Sequence, residues 1–401
     1  MVLNTPAGLL LAAYALVITW VAWYFFRMLW GHHSQEESMV KHYGEDRRRV
    51  PYAAPCPIPS HISLTEKFVM NARGMLLYTC AWHPSHIERP KALIFQCCGF
   101  ADTNTFLPMM RSIRLAERGF VVVGMDPEGH GRSDGLHAYV PSFPTLVEDY
   151  WQFFIKEIMT NPAYAGLPVF LLGESMGGNV AIQLLLRDRT EKKKNPKKHK
   201  SFFAGAVFLA PMVKISPALK PPECLVNLLR QVAPFIPTLP VAPTKDVLAQ
   251  AFRRPDILEM ARNSPYGYRM KPRLGTALQL LEATEEVAGR MEEVEHPFLL
   301  LQGDADVVTC PEVIKEFHAK AGSKDKELKL YEGMWHSLVG GELEPHIERV
   351  YGDMFAWLER QLLKQGKEEE EDKEEEEKAE VREVEGMARR RSTRRSVKVS
   401  G

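Results

Sequence analysis

The residues best suited to chemistry stand in one hexapeptide, Gly173-Glu174-Ser175-Met176-Gly177-Gly178. An apolar run, PVFLLG (168–173), leads into it, and a helix-forming stretch (176–187) leaves at once. Between a strand and a helix, glycines permit a sharp turn that lifts the serine hydroxyl into the open. The N-terminus of the following helix aims its free N–H groups and positive dipole end at the same spot. That combination suits a nucleophile for acyl transfer. The same letters without the flanking elements would be an ordinary turn.

A serine nucleophile needs a base, and the base needs an acid to orient it. On a strand-turn-helix scaffold of this kind the acid and then the histidine follow later in the chain. The strand-like run PFLLLQG (297–303) ends in Asp304-Ala305-Asp306, and KELKLYE (326–332) is followed by Gly333-Met334-Trp335-His336. Both polar groups thus fall at strand C-termini, where open α/β sheets place their chemistry. His336 is expected to take the proton from Ser175, and Asp306 to hold its tautomer. Among the 13 histidines in the chain, position favours His336. His130, in Asp126-Pro127-Glu128-Gly129-His130-Gly131, also follows a strand end and is a rival. Spacing alone leaves Asp304 and Asp306 both open as the acid.

Other elements must hold these residues in place. Stretches 62–69 and 75–82 read as strands joined by a hairpin turn at Asn71-Ala72-Arg73-Gly74. They are followed by ALIFQCC (92–98), an amphipathic helix near 107–118, the buried-strand run FVVVGMD (120–126) and a helix over 144–160. Strand FFAGAVFLA (202–210) and a terminal helix over 345–363 complete the pattern. Short apolar runs alternating with longer helices predict an α/β domain with a mostly parallel sheet covered on both faces. Residues 211–295, rich in proline and without a convincing strand, read as an inserted helical cap. The insert EKKKNPKKHK (191–200) reads as a solvated loop.

The ends of the chain differ from its middle. Residues 1–8 form a short tail, and 9–30 (LLLAAYALVITWVAWYFFRMLW) are apolar with Arg27 as their one charge, which predicts a single-pass transmembrane anchor. Lys41 and Arg47 to Arg49 follow that span and nothing basic precedes it, which predicts a cytosolic catalytic domain. Residues 31–60 read as a polar, proline-rich stalk. The hydrolytic core is expected over 61–210 and 296–363, with 364–401 as a charged, disordered tail. Its basic end, RRRSTRR (389–395), is an expected contact for anionic lipid. The net charge is zero, and the basic stretches lack interleaved aromatics, so no nucleic-acid partner is expected. The six cysteines show no C-x-x-C spacing and read as reduced, mostly buried thiols.

Three ordered segments, GFVVVGMDPEGHGRSDGLHAYV, VFLLGESMGG and LLLQGDADVVTCPEV with KLYEGMWHSL, resemble the monoacylglycerol lipase family of the α/β-hydrolase superfamily. They are most similar to its plant and algal branch, with its lysophospholipase and caffeoylshikimate esterase relatives. The resemblance covers residues 60 to 363, cap included. It implies the α/β-hydrolase fold and a triad of Ser175, Asp306 and His336, and it assigns His130 to bracing its loop. The oxyanion hole it implies uses the backbone N–H groups of Met176 and Phe100. The family has H-G-x-G where this chain reads Cys98-Gly99-Phe100-Ala101, so the loop has lost a bracing histidine and a permissive glycine.

The expected activity is hydrolysis of carboxylic esters of lipids, monoacylglycerol first, through an acyl-serine and without a metal or organic cofactor. Phe100, Met176, Leu225, Leu228 and Leu229 are candidate lining for an apolar cleft. A lysophospholipase, a small- or phenolic-ester esterase, an acyltransferase with the same triad and a catalytically dead membrane-tethered scaffold remain as alternatives.

Overall fold

The computed structural model describes Thr19, residues 55–194, 201–215, 222–240, 246–264, 266–268, 270–367 and Glu370. The chain divides into two compact units, Met1–Ile347 and Glu348–Gly401. In the first unit β1 (Ile62–Met70) and β2 (Leu76–Pro84) form the expected hairpin. Asn71 closes its turn by accepting the N–H groups of Arg73 and Met75 on its side-chain oxygen, each at 3.0 Å. The alternation then runs β3 (Ala92–Cys97), α1 (Leu107–Glu117), β4 (Phe120–Met125), α2 (Phe143–Phe153), β5 (Val169–Glu174), α3 (Met176–Lys194) and β6 (Gly205–Leu209). Helices α4 (Glu223–Val232), α5 (Val247–Ala251), α6 (Pro255–Asn263) and α7 (Leu274–Gly289) lie between β6 and β7 (Phe298–Gly303). Helix α8 (Pro311–Lys320) then leads to β8 (Lys326–Tyr331).

One sheet holds all these strands in the order β1-β2-β4-β3-β5-β6-β7-β8. The β1–β2 and β2–β4 pairings are antiparallel, and every pairing from β4 onward is parallel. All residues of β3, β4, β6 and β7 are buried, as a sheet covered on both faces requires. On one face Phe95 lies within 6.0 Å of the rings of Tyr150, Phe153 and Phe154 from the second helical layer. Each such aromatic contributes about 2–3 kcal/mol on burial. The core therefore fixes the strand ends as a rigid platform.

Two readings of the helices change. Helix α3 runs seven residues past 187, so Glu191–Lys194 are its last turn rather than loop. Lys192, Lys193 and Lys194 sit where the helix dipole favours cations, and Arg189 pairs with Glu293 and Glu295. Residues 195–200 of the basic insert lie outside the described residues. Helix α8, which the sequence reading passed over, opens on a proline at its first turn and buries Val313, Ile314 and Phe317.

The expected membrane anchor and single-pass localisation are corrected. No helix among the described residues is long and apolar enough to cross a membrane. The stretch 9–30 lies, apart from Thr19, outside the described residues. The stalk up to residue 54 and the basic end (389–395) with its lipid contact lie outside them as well. In the second unit, residues 348–367 are helical, with Val350, Met354, Trp357, Leu358 and Gln361 buried along one face.

Candidate active site

Ser175 sits between β5 and α3 with φ of +55°, a left-handed conformation that side chains avoid at about 1–2 kcal/mol. The surrounding hydrogen bonds hold it there: its N–H donates to Leu209 O at 3.1 Å, and its carbonyl accepts from Gly178 N at 3.0 Å and Met212 N at 2.8 Å. The glycines are needed for close approach. A Cβ on Gly177 would lie 2.2 Å from Cys97 O, and one on Gly178 would lie 2.5 Å from Pro211 Cβ. Helix α3 can therefore start directly against the ends of β3 and β6, and Ser175 stands at its N-terminus.

Asp306 and His336 come from the loops that follow β7 and β8. His336 Nδ1 is 2.8 Å from Asp306 Oδ2. The carboxylate also accepts from Gln302 Nε2 at 2.9 Å, Thr309 Oγ1 at 2.7 Å, Val308 N at 2.7 Å and Thr309 N at 3.0 Å. Burial pushes the Asp306 carboxyl up, but His336 and the Thr309 donors outweigh it and hold the group below its usual range. Burial pushes the His336 imidazole down, yet the Asp306 charge, with a smaller share from Glu174, raises it above its usual value. Asp304 points elsewhere: its Oδ1 accepts Gly333 N at 2.6 Å. Of the two aspartates it is Asp306 that contacts the imidazole, beside Thr309 Oγ1 at 3.4 Å from Nδ1.

Ser175 and His336 line one cavity of about 720 Å³, within the usual range for small-molecule sites. Phe100, Phe106, Leu107, Val247, Leu248 and Phe252 give it an apolar wall, and Asp102, Arg111 and Glu174 a polar one. Arg111 Nη1 donates to Glu174 Oε2 at 2.7 Å. Burial, and then the neighbouring Glu174 charge, push the Asp102 carboxyl up to about 7. Leu225 and Leu228, expected as lining, are exposed on α4 instead, and Leu229 is also absent from the wall. The insertion contributes instead through 246–248, 251–252, 261–264, 266–268 and 270–272. Met176 opens α3 with its side chain fully buried.

The loop after β3 carries Phe100. Its next residue, Ala101, has φ of +59°, so the position of the absent glycine is still left-handed. Asp126, at the end of β4, braces this loop. It accepts from Thr103 Oγ1 at 2.7 Å and Asn104 N at 2.8 Å, and the buried Cys98 thiol lies 3.7 Å away. His130 is buried with its ring edge-on to Phe100 at 6.0 Å, a bracing position. All six cysteines are free; Cys80, Cys97 and Cys98 are buried, whereas Cys224 is exposed.

A second Ser-His-Asp arrangement lies at the other ends of the strands, before β6 and β7. Ser201 Oγ donates to Asp188 Oδ2 at 2.7 Å, and His296 Nε2 is 2.8 Å from both groups. Sequence reading missed it, because Asp188 lies on α3 and the other two lie in connections with no motif. Its geometry differs from a relay. One ring nitrogen of His296 faces both serine and aspartate, whereas a base that relays a proton uses its two nitrogens separately. None of the three lines the cavity.

The family model described as "Serine aminopeptidase, S33" matches residues 88–344. Caffeoylshikimate esterase of Arabidopsis thaliana is 31% identical over 276 residues, 69% of this chain and 80% of that protein. Monoglyceride lipase of Homo sapiens is 30% identical over 314 residues, 78% of this chain and 93% of that protein. A solved structure of a soluble variant of monoglyceride lipase from Saccharomyces cerevisiae, in complex with a substrate analog, superposes with a TM-score of 0.61 at 19% identity. It covers 78% of this chain and 99% of that one, a likeness of fold.

Proposed function

This chain belongs to the serine aminopeptidase S33 family of α/β-hydrolases and is a serine ester hydrolase, and on that premise we propose that Ser175, His336 and Asp306 cleave lipid esters, splitting monoacylglycerol to fatty acid and glycerol. The observation that carries the reading is the strained Ser175 turn opening on the cavity that His336 also lines, with Asp306 2.8 Å behind the imidazole. His336 takes the hydroxyl proton as Ser175 attacks the ester carbonyl. The N–H groups of Phe100 and Met176 receive the oxyanion. His336 then returns the proton to the leaving alcohol, and water releases the acid from the acyl-serine by the same route.

The substrate class follows from the lining. An amphiphilic ester uses both walls, an acyl chain along Phe106, Leu248 and Phe252 and a small hydroxyl-bearing alcohol by Asp102 and Arg111. The names of the relatives at 30–31% identity favour an ester over a peptide bond. The cap over 211–295 and the core segments 61–210 and 296–363 are the domain division that goes with this reading.

Labelling by a fluorophosphonate probe, lost in Ser175→Ala, is the first test. A panel of monoacylglycerols, diacylglycerols, lysophospholipids and short aryl esters is the second. Folded protein that takes no label would overturn the hydrolase, and a preference for short soluble esters would overturn the lipid assignment. Fatty acyl transfer to added glycerol in excess of hydrolysis would replace it with an acyltransferase. The Ser201, His296 and Asp188 grouping is a second reading of the nucleophile, favoured by its hydrogen-bond distances, and label retained in Ser175→Ala but lost in Ser201→Ala would select it.

A further inference from the structure

We propose that Glu342 and Arg253 are positioning residues that strap the His336 loop to the helical insertion, so that the base is set in place only while segment 251–254 is seated. The inference rests on the reading of His336 as the base. Glu342 is fully buried, and its Oε1 accepts the N–H of Trp335, the residue before His336, at 2.5 Å. Its Oε2 lies 3.4 Å from Arg253 Nε and 3.6 Å from His346 Nδ1. The Arg253 guanidinium also donates to Gly333 O and lies 5.8 Å from the centroid of the Trp335 ring. One arginine from the insertion thus touches residues on both sides of Met334, in the turn that delivers His336.

The backbone repeats the connection. Ser337 N, just after His336, donates to Ala251 O at 3.0 Å. Gly341 O accepts from both Arg253 N and Arg254 N, at 3.1 and 3.0 Å, while Gly341 N donates to Ser337 O at 2.9 Å. A Cβ on Gly341 would meet Phe252 Cδ1 at 2.8 Å and Ser337 Cβ at 2.9 Å, so the two segments are in van der Waals contact.

A carboxylate removed from water is costly unless it is paired and hydrogen-bonded; Glu342 is hydrogen-bonded through Oε1, and its Oε2 lies at ion-pair distance from Arg253 without a hydrogen bond. Its partners lie on the two segments that must be held together. Ala251 and Phe252 form part of the cavity wall, whereas Arg253 does not line it. The strap therefore acts from behind the wall, through His336, and not on the substrate. An acyl chain that shifts the 246–252 segment would be felt at the base along this route. A shift of about 1 Å in a reacting group can lower a rate about 100-fold.

The test uses the full chain with Arg253→Met, Arg253→Lys, Glu342→Gln and the double variant Arg253→Met/Glu342→Gln. Glutamine keeps an acceptor for Trp335 N and removes only the charge that holds Arg253. The expected result is a kcat about 10- to 100-fold lower for R253M and E342Q, with KM within about threefold of wild type. The double variant should lose no more than either single one, and R253K should recover part of the loss. A purely structural role would lower the melting temperature and leave kcat in place well below it. Should E342Q fail to fold, R253M and R253K carry the test. The strap is overturned if folded R253M turns over and reacts with fluorophosphonate at wild-type rates. Wild-type protein that takes no label at Ser175 would instead overturn the reading of the site on which the strap depends.

Discussion

Replacing Asp306 by asparagine keeps the side-chain shape and changes two things at once. The carboxylate faces five donors or ring nitrogens: His336 Nδ1, Gln302 Nε2, Thr309 Oγ1 and the N–H groups of Val308 and Thr309. With the asparagine oxygen left on the two backbone N–H groups, its NH2 meets His336 Nδ1, Gln302 Nε2 and Thr309 Oγ1. Nδ1 must then accept, which leaves the proton on Nε2, the atom that should take it from Ser175. The charge is lost as well. At the 2.8 Å separation, opposite unit charges attract by about 6 kcal/mol at an effective dielectric of about 20. At about 1.4 kcal/mol per decade, that bounds the loss near four decades, and water in the cavity trims it. We expect kcat to fall about 10³- to 10⁴-fold on a monoacylglycerol, with KM little changed and a matching loss in fluorophosphonate labelling rate. Asp304→Asn is the control, since an amide oxygen can still accept Gly333 N, and it should stay within about threefold of wild type. Retention of kcat within tenfold in Asp306→Asn would refute the assignment, and a collapse in Asp304→Asn alone would transfer the role to that residue.

Three further predictions concern pH and the second Ser-His-Asp grouping. His336 is raised above its ordinary value, near 6.5 for an imidazole, so the acid limb of kcat/KM should have its midpoint above about 6.5; a pH–rate profile with a lower midpoint would contradict the Asp306 pairing. In stability the two partners act oppositely: the His336 contribution is present below about pH 6.5 and is lost as pH rises through its folded value. That of Asp306, whose pKa is lowered, is present above about pH 4 and is lost as pH falls through its folded value. Asp102 is pushed up to about 7, so its contribution is present below about pH 4 and declines as pH rises to that value. Thermal melts should therefore show Asp102→Asn gaining on wild type at about pH 8.5 relative to about pH 5, and an equal difference at both would show that the carboxyl is not strained. Ser201→Ala should leave kcat unchanged while removing about 1 kcal/mol of stability through its bond to Asp188, as read from denaturant unfolding.

The Ser175 turn was legible because its cause is local. A strand, a serine between glycines and a helix are consecutive in the chain, and the φ of Ser175 follows from them. The parallel sheet was legible for a similar reason, since strands buried on both faces read as short apolar runs such as ALIFQC and FVVVGM. The span expected at 9–30 shows the limit of composition, because apolar length alone does not establish a membrane-crossing helix.

What the tertiary structure decided are the questions of direction and distance. Asp304 and Asp306 differ by two positions in a loop, and only the path from β7 to α8 turns Asp306 toward His336. The cavity wall came from residues 246–252 rather than from the leucines of α4, because exposure depends on which helix faces the sheet and not on apolarity. Ser201, Asp188 and His296 are joined across 108 positions of sequence, and Arg253 meets Glu342 across 89 (342 − 253). No local pattern encodes such pairs; they exist because packed strands hold distant loops at fixed separations. The sequence by itself placed Ser175 in a strand-to-helix turn, and the packing of the sheet and its insertion decided which residues lie around it.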